Sequence, residues 1–139
     1  MIYRIDVQIT TPLYATEIKD RVVDAITNLF PGADVEERHG ELIGETHSMD
    51  HFADRLDEQA IVDTARELFF ENSDGDTFSF DLKKQPAYEG VINFAVGNPS
   101  ELGEIHVRVR VEEPSTDAFI EHIAPPTDGE DEPPEQSPR

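Results

Sequence analysis

In Ile105-His106-Val107-Arg108-Val109-Arg110-Val111 an aliphatic β-branched residue stands at every second position, with His106, Arg108 and Arg110 between. Side chains alternate across a strand, so this pattern predicts a strand with one face buried and the other in solvent. Tyr3, Ile5, Val7 and Ile9, alternating with Arg4, Asp6 and Gln8, predict a second such strand ended by Pro12. Phe78, Phe80 and Leu82, entered through the turn Asp74-Gly75, predict a third. Short strands are expected at Val35 to Arg38 and Glu41 to Thr46, joined as a hairpin through His39-Gly40, and a further one at Ile92 to Val96.

Helical spacing fills the intervals. Ile18, Val22, Ile26 and Leu29 form a stripe behind a Thr16 cap, stopped by Pro31-Gly32. Ser48 caps a helix through Met49, Phe52 and Leu56, and Ile61, Ala65 and Leu68-Phe69 continue the pattern. Gln59 marks either a bend or a break between two helices. The order β-α-β-β-α-α-β-β-β-α lacks the regular alternation of a parallel α/β fold. It predicts an α+β two-layer sandwich, a mixed or antiparallel sheet with helices on one face.

The chain of 139 residues suits one domain with an extension. We place an α+β domain at 1–113, a short helix at 114–124 carrying Phe119, Ile120 and Ile123 behind a Ser115 or Thr116 cap, and a tail at 125–139. The tail is acidic, proline-rich and poor in apolar side chains, a composition that predicts disorder. No apolar run approaches the roughly 20 residues that cross a bilayer, and no signal peptide is evident at the N-terminus. Cysteine is absent, which excludes disulfides and thiolate chemistry and fits a reducing cytoplasm.

Asp and Glu number 31 against 11 Lys and Arg, for a formal charge of −20. Only Lys19, Lys83 and Lys84 are lysine, and the acids are spread through helices, strands and turns. A binding patch would be local, so the scatter points to adaptation to molar salt. Such a chain is expected to loosen in dilute buffer.

Catalytic motifs are lacking: no phosphate-cradling glycine loop, no G-x-S-x-G, no H-E-x-x-H. His47 and His51 stand four apart with Asp50 and Asp54 near, yet no third zinc ligand is indicated, and a polar helix face explains them. Asn72 to Asp76 is a β-turn rather than a calcium loop, since the flanking acids are misplaced. No cofactor or small-molecule substrate is expected. Strand alternation turns Arg4, Lys83, Arg108 and Arg110 away from the helices, with Lys84 following Lys83. These cations either meet phosphates, with arginine offering a bidentate fork, or pair with Asp6, Asp81 and Glu112 across strands.

Lys83-Lys84-Gln85-Pro86-Ala87-Tyr88-Glu89-Gly90-Val91-Ile92-Asn93-Phe94 resembles a motif of a small archaeal family, the uncharacterised protein family number two hundred and one. Gly40 to Glu45, Leu56 to Arg66 and Leu102 to Ile105 match in the same order, so the likeness spans roughly residues 2 to 112. The family has Ala where this chain has Pro86. The resemblance implies a fold like that of ribosomal protein L-five and a predicted RNA-binding role without catalytic residues. It adds Lys84, Gln85, Tyr88 and Asn93 to Arg4, Lys83, Arg108 and Arg110 as candidate RNA contacts. The expectation is a non-enzymatic, RNA-associating module. The alternative is a protein-interaction module, a homodimer through a strand edge or the 114–123 helix.

Overall fold

The computed structural model of the protein describes residues 2–97 and 103–127. Strands β1 (Arg4–Pro12), β2 (Asp34–Arg38), β3 (Glu41–Thr46), β4 (Ser73–Asp74), β5 (Thr77–Lys83) and β6 (Glu104–Glu113) form one sheet ordered β2-β3-β1-β6-β5-β4. Every pairing is antiparallel. Helices α1 (Lys19–Leu29), α2 (Asp50–Glu58), α3 (Val62–Glu71) and α5 (Thr116–Ile123) cover one face, and the single-turn α4 (Lys84–Ala87) packs against α1. The fold is the expected α+β two-layer sandwich.

Period-two patterning places the core. Ile5, Val7 and Ile9 of β1, Phe78, Phe80 and Leu82 of β5, and Ile105, Val107, Val109 and Val111 of β6 all point to the helices and are buried. They meet Val22, Ile26, Phe52, Phe69 and Ile120 from the helical layer. Phe69 sits 5.0 Å from Phe78 and 4.9 Å from Phe80 between ring centres, and Phe52 lies 5.3 Å from Phe80. Each such pair adds about 1 kcal/mol to the area term. The β2–β3 hairpin turns on His39 at φ 51° and Gly40 at φ 82°, the positive pair that a two-residue turn of matching twist demands.

Several local expectations are revised. Thr16 does not cap α1. Glu17 instead accepts a hydrogen bond from the Tyr14 N–H and turns its carboxylate inward, so the helix begins at Lys19 and Ile18 is left 64% exposed. Met49 to Glu71 is two helices, broken at Gln59-Ala60, where Ala60 takes φ 58°. Ile92 to Val96 is not a full strand: one bridge, Leu82 to Phe94, joins it to β5. α4 and the two-residue β4 were not anticipated.

Ser115 caps α5, its Oγ accepting from the Ala118 N–H at 3.1 Å. Thr127 bonds through N–H and Oγ1 to Asp63 of α3, and the rest of the expected tail, 128–139, lies outside the described residues.

Candidate nucleic-acid interface

The sheet face turned away from the helices is built in cross-strand rows. Register aligns Gln8, Arg108 and Ser79 in one row, Asp6, Arg110 and Thr77 in the next, and Thr10, His106 and Asp81 on the other side. Alternate residues of a strand lie about 6.8 Å apart, so His106, Arg108 and Arg110 run as a basic-capable track along β6.

Their electrostatic states differ. Arg110 is held by Asp76 at 3.2 Å, Glu112 at 3.1 Å and Asp6 at 3.6 Å. The hydrogen bond that Arg110 donates to Asp76, and then the Asp76 charge, raise the Arg110 pKa further, so this cation is permanent and already surrounded by acids. His106 Nδ1 lies 2.7 Å from Asp81, and Arg4 lies 3.6 Å from Glu113. Lys83 is exposed opposite Glu104 in register. Arg108 is exposed and, among the described residues, makes no ion pair or side-chain hydrogen bond; its neighbours across the strands are neutral Gln8 and Ser79. It borders a shallow cavity of about 220 Å³ with Asp6, Gln8, Glu45, Thr46, His47 and Arg110. Among the described residues the open face is thus a mixed-charge surface, with the Arg108 guanidinium near its centre outside any ion pair, and not a continuous basic field.

The motif residues separate. Lys84 is not on a surface with Lys83: it is 4% exposed, and its Nζ donates to Glu17 at 2.9 Å and to the Pro12 carbonyl at 2.6 Å. The chain turns into α4 after Lys83, which sends the two lysines to opposite sides. Tyr88 is half-buried, and burial followed by the nearby Glu17 charge raises its pKa above the ordinary tyrosine value. Arg21 of α1 lies 5.4 Å from the Tyr88 ring centre, so this residue belongs to the helix side. Gln85 is exposed on α4. Asn93 exposes its side chain while its carbonyl accepts from the Lys83 N–H. The structure therefore gathers Arg108 and Arg110 with Arg4 on the sheet and leaves Tyr88 and Lys84 elsewhere.

His47 is drawn to Asp6 at 3.0 Å and to the Ile5 carbonyl at 3.0 Å, in keeping with a polar role. Among the described residues no group of three His, Asp or Glu side chains is placed to hold a metal. No helix of the described residues is long and apolar enough to cross a membrane. Gln8, Ser79 and Glu45, the polar surroundings of Arg108, were not singled out from sequence, although the alternation that exposes Arg108 exposes them too.

Known proteins resemble this chain over most of its length. A family model described as RNA binding matches residues 6–111. A UPF0200/UPF0201 protein of Archaeoglobus fulgidus is 36% identical over 124 residues, covering 88% of this chain but 38% of its own length. The UPF0201 protein of Methanopyrus kandleri is 34% identical over 136 residues, covering 87% and 85%. Two crystal structures of UPF0201 proteins, one uncharacterised and one from Methanococcus jannaschii, superpose with a TM-score of 0.83 each at 36% and 33% identity. They cover 89% of this chain and 97% and 96% of their own. The extent of these matches, across both layers of the sandwich, assigns the chain to the UPF0201 family.

Proposed function

We propose that this protein is a non-enzymatic module that associates with RNA through the open face of its sheet, in a cytoplasm of high salt. The observation that carries the reading is Arg108, exposed at the centre of that face and without a carboxylate partner among the described residues, in a chain matched by a family model described as RNA binding. A free guanidinium flanked by the amide of Gln8 and the hydroxyl of Ser79 can grip a phosphate bidentately, with hydrogen-bonding neighbours on both sides.

The formal charge of −20 opposes long-range attraction to RNA at low salt. At molar salt that repulsion is screened, and counterion release also contributes little. Contact then depends on hydrogen bonds, shape and area. The scattered acids support this salt-adapted setting.

The test is crosslinking to RNA in the native cell at its own salt, beside an Arg108→Glu variant. A defined RNA recovered from the parent and lost from the variant supports the reading. No RNA above background from the parent overturns it.

A further inference from the structure

The segment 92–96 runs beside β5 as an incomplete strand. The Lys83 N–H donates to the Asn93 carbonyl at 2.9 Å, and the Ala95 N–H donates to the Asp81 carbonyl at 2.8 Å. Asn93 and Ala95 therefore spend their main-chain groups on β5. Alternation turns the N–H and C=O of Ile92, Phe94 and Val96 the other way.

At Ile92 that outer edge is already occupied. The Ile92 N–H donates to Gln59 Oε1 at 2.8 Å, and Gln59 Nε2 donates to the Ile92 carbonyl at 2.9 Å. The Gln59 amide thus imitates one residue of an added antiparallel strand. One step on, the Phe94 N–H and C=O have no partner among the described residues.

Beside this edge lies a groove of about 490 Å³. Ile61, just before α3, and Thr64 and Leu68 along one side of that helix form one wall, and Ile92, Phe94 and Val96 form the other. Val96 is an apolar side chain that is 73% exposed. Glu67 and Glu71 stand on the rim.

We infer that this edge and groove bind an extended segment of a partner protein by strand addition, with apolar side chains in the groove and Lys or Arg reaching Glu67 and Glu71. Free main-chain groups supply affinity and the groove supplies side-chain selection, the usual division in strand addition. RNA is a poor occupant, because the rim is acidic and the walls apolar. The chain's own residues 128–139 lack apolar side chains and contain Pro133, Pro134 and Pro138, which have no N–H to give. A second copy's β2 edge would bring Asp34, Glu36 and Glu37 against the acidic rim. High salt screens the charged contacts but strengthens apolar burial, so the site suits a salty medium.

The test is selection from a displayed library of random peptides about six residues long, the usual strand length, against the full chain and its Val96→Glu variant at high salt. Val96 is exposed, so the variant keeps its fold. Expected are peptides with apolar residues at alternate positions and Lys or Arg between them. They should protect the Phe94 amide from hydrogen exchange and bind Val96→Glu at least about tenfold more weakly, a loss of about 1.4 kcal/mol. Proline opposite Phe94 should abolish binding. Absence of enrichment, or enriched peptides indifferent to Val96→Glu or to proline, would overturn the inference. Self-association of the chain that Val96→Glu abolishes would also overturn it, giving the groove to a second copy. Each outcome is independent of whether RNA binds the sheet.

Discussion

Glu17 and Lys84, 67 residues apart in sequence, meet as an ion pair whose side chains are 5% and 3% exposed. Lys84 Nζ spends its donors on both Glu17 oxygens and the Pro12 carbonyl, and Glu17 accepts in addition from the Tyr14 N–H and, at 3.5 Å, the Tyr88 hydroxyl. The pair pins the end of β1 and the start of α1 to α4. A lysine of the family motif is therefore part of the fold's framework rather than a contact for RNA.

Lys84→Met should accordingly destabilise by about 3–5 kcal/mol, because a buried carboxylate loses its partner. Replacing both residues by Met should cost far less, since no buried charge remains. Denaturant unfolding at molar salt separates the two. A single variant as stable as the parent would show that the pair contributes no more than a surface bridge does.

The two arginines of β6 should behave unequally. Arg108→Ala is expected to weaken RNA association across sequences and lower the salt slope by about one, the signature of a lost phosphate contact. Arg110→Ala should do less, because Asp6, Asp76 and Glu112 already occupy that guanidinium. Titration of RNA binding against salt for both variants measures this. Equal effects would argue against Arg108 as the principal contact.

This inequality marks where sequence information ends. Alternation in Ile105 to Val111 exposes Arg108 and Arg110 alike, and that much was legible, together with the buried face of β1 and the two-layer fold. Which acid reaches which arginine depends on strand order, and Asp76 meets Arg110 only because β5 lies beside β6. Lys84 was misplaced for a related reason: a lysine after an exposed lysine gives no periodic signal, and its partner is distant in the chain. Ile92 to Val96 alternates like a strand, yet Gln59 takes one outer edge position, and among the described residues a single bridge joins it to β5.

The break between α2 and α3 offers a stability test. The Ile61 N–H donates to the Leu56 carbonyl and the Ala60 N–H to the Asp57 carbonyl, a Schellman ending that puts Ala60 in the left-handed region at φ 58°. Alanine there carries a strain that glycine avoids, so Ala60→Gly should raise stability by roughly 1 kcal/mol. Denaturant midpoints at constant slope are the measurement. A loss of stability would mean that unfolded-chain entropy outweighs the strain.

Acid should loosen the docking of α5. Arg66 donates to both oxygens of Glu121, at 2.8 Å and 2.6 Å, and that hydrogen bonding lowers the Glu121 pKa from 4.5. A lowered folded-state value means that the contribution is present above 4.5 and is lost as pH falls through the folded value. Glu121→Gln should therefore make the acid limb of the stability profile shallower. Thermal melts of both proteins across that acid range decide it, and parallel limbs would remove Glu121 from the account.

The charge of −20 makes the strongest prediction about conditions. On α2, Asp50 and Asp54 are exposed one helical repeat apart, so like charges face one another, while Glu58 at the next repeat is paired with Arg55 at 2.7 Å. The Debye length grows from about 3 Å at 1 M salt to about 10 Å at 0.1 M, which brings such neighbours within reach of one another. The melting temperature should then fall on dialysis from molar to dilute salt, while the buried Glu17–Lys84 pair, hidden from ions, holds its part of the fold. Asp54→Asn isolates the cause. It removes one of the two facing charges at nearly unchanged helix propensity, and should recover roughly 0.2–0.5 kcal/mol in dilute salt and almost nothing at 1 M. A recovery equal at both salts would assign the effect to something other than repulsion, and a melting temperature indifferent to salt would remove the case for adaptation to brine.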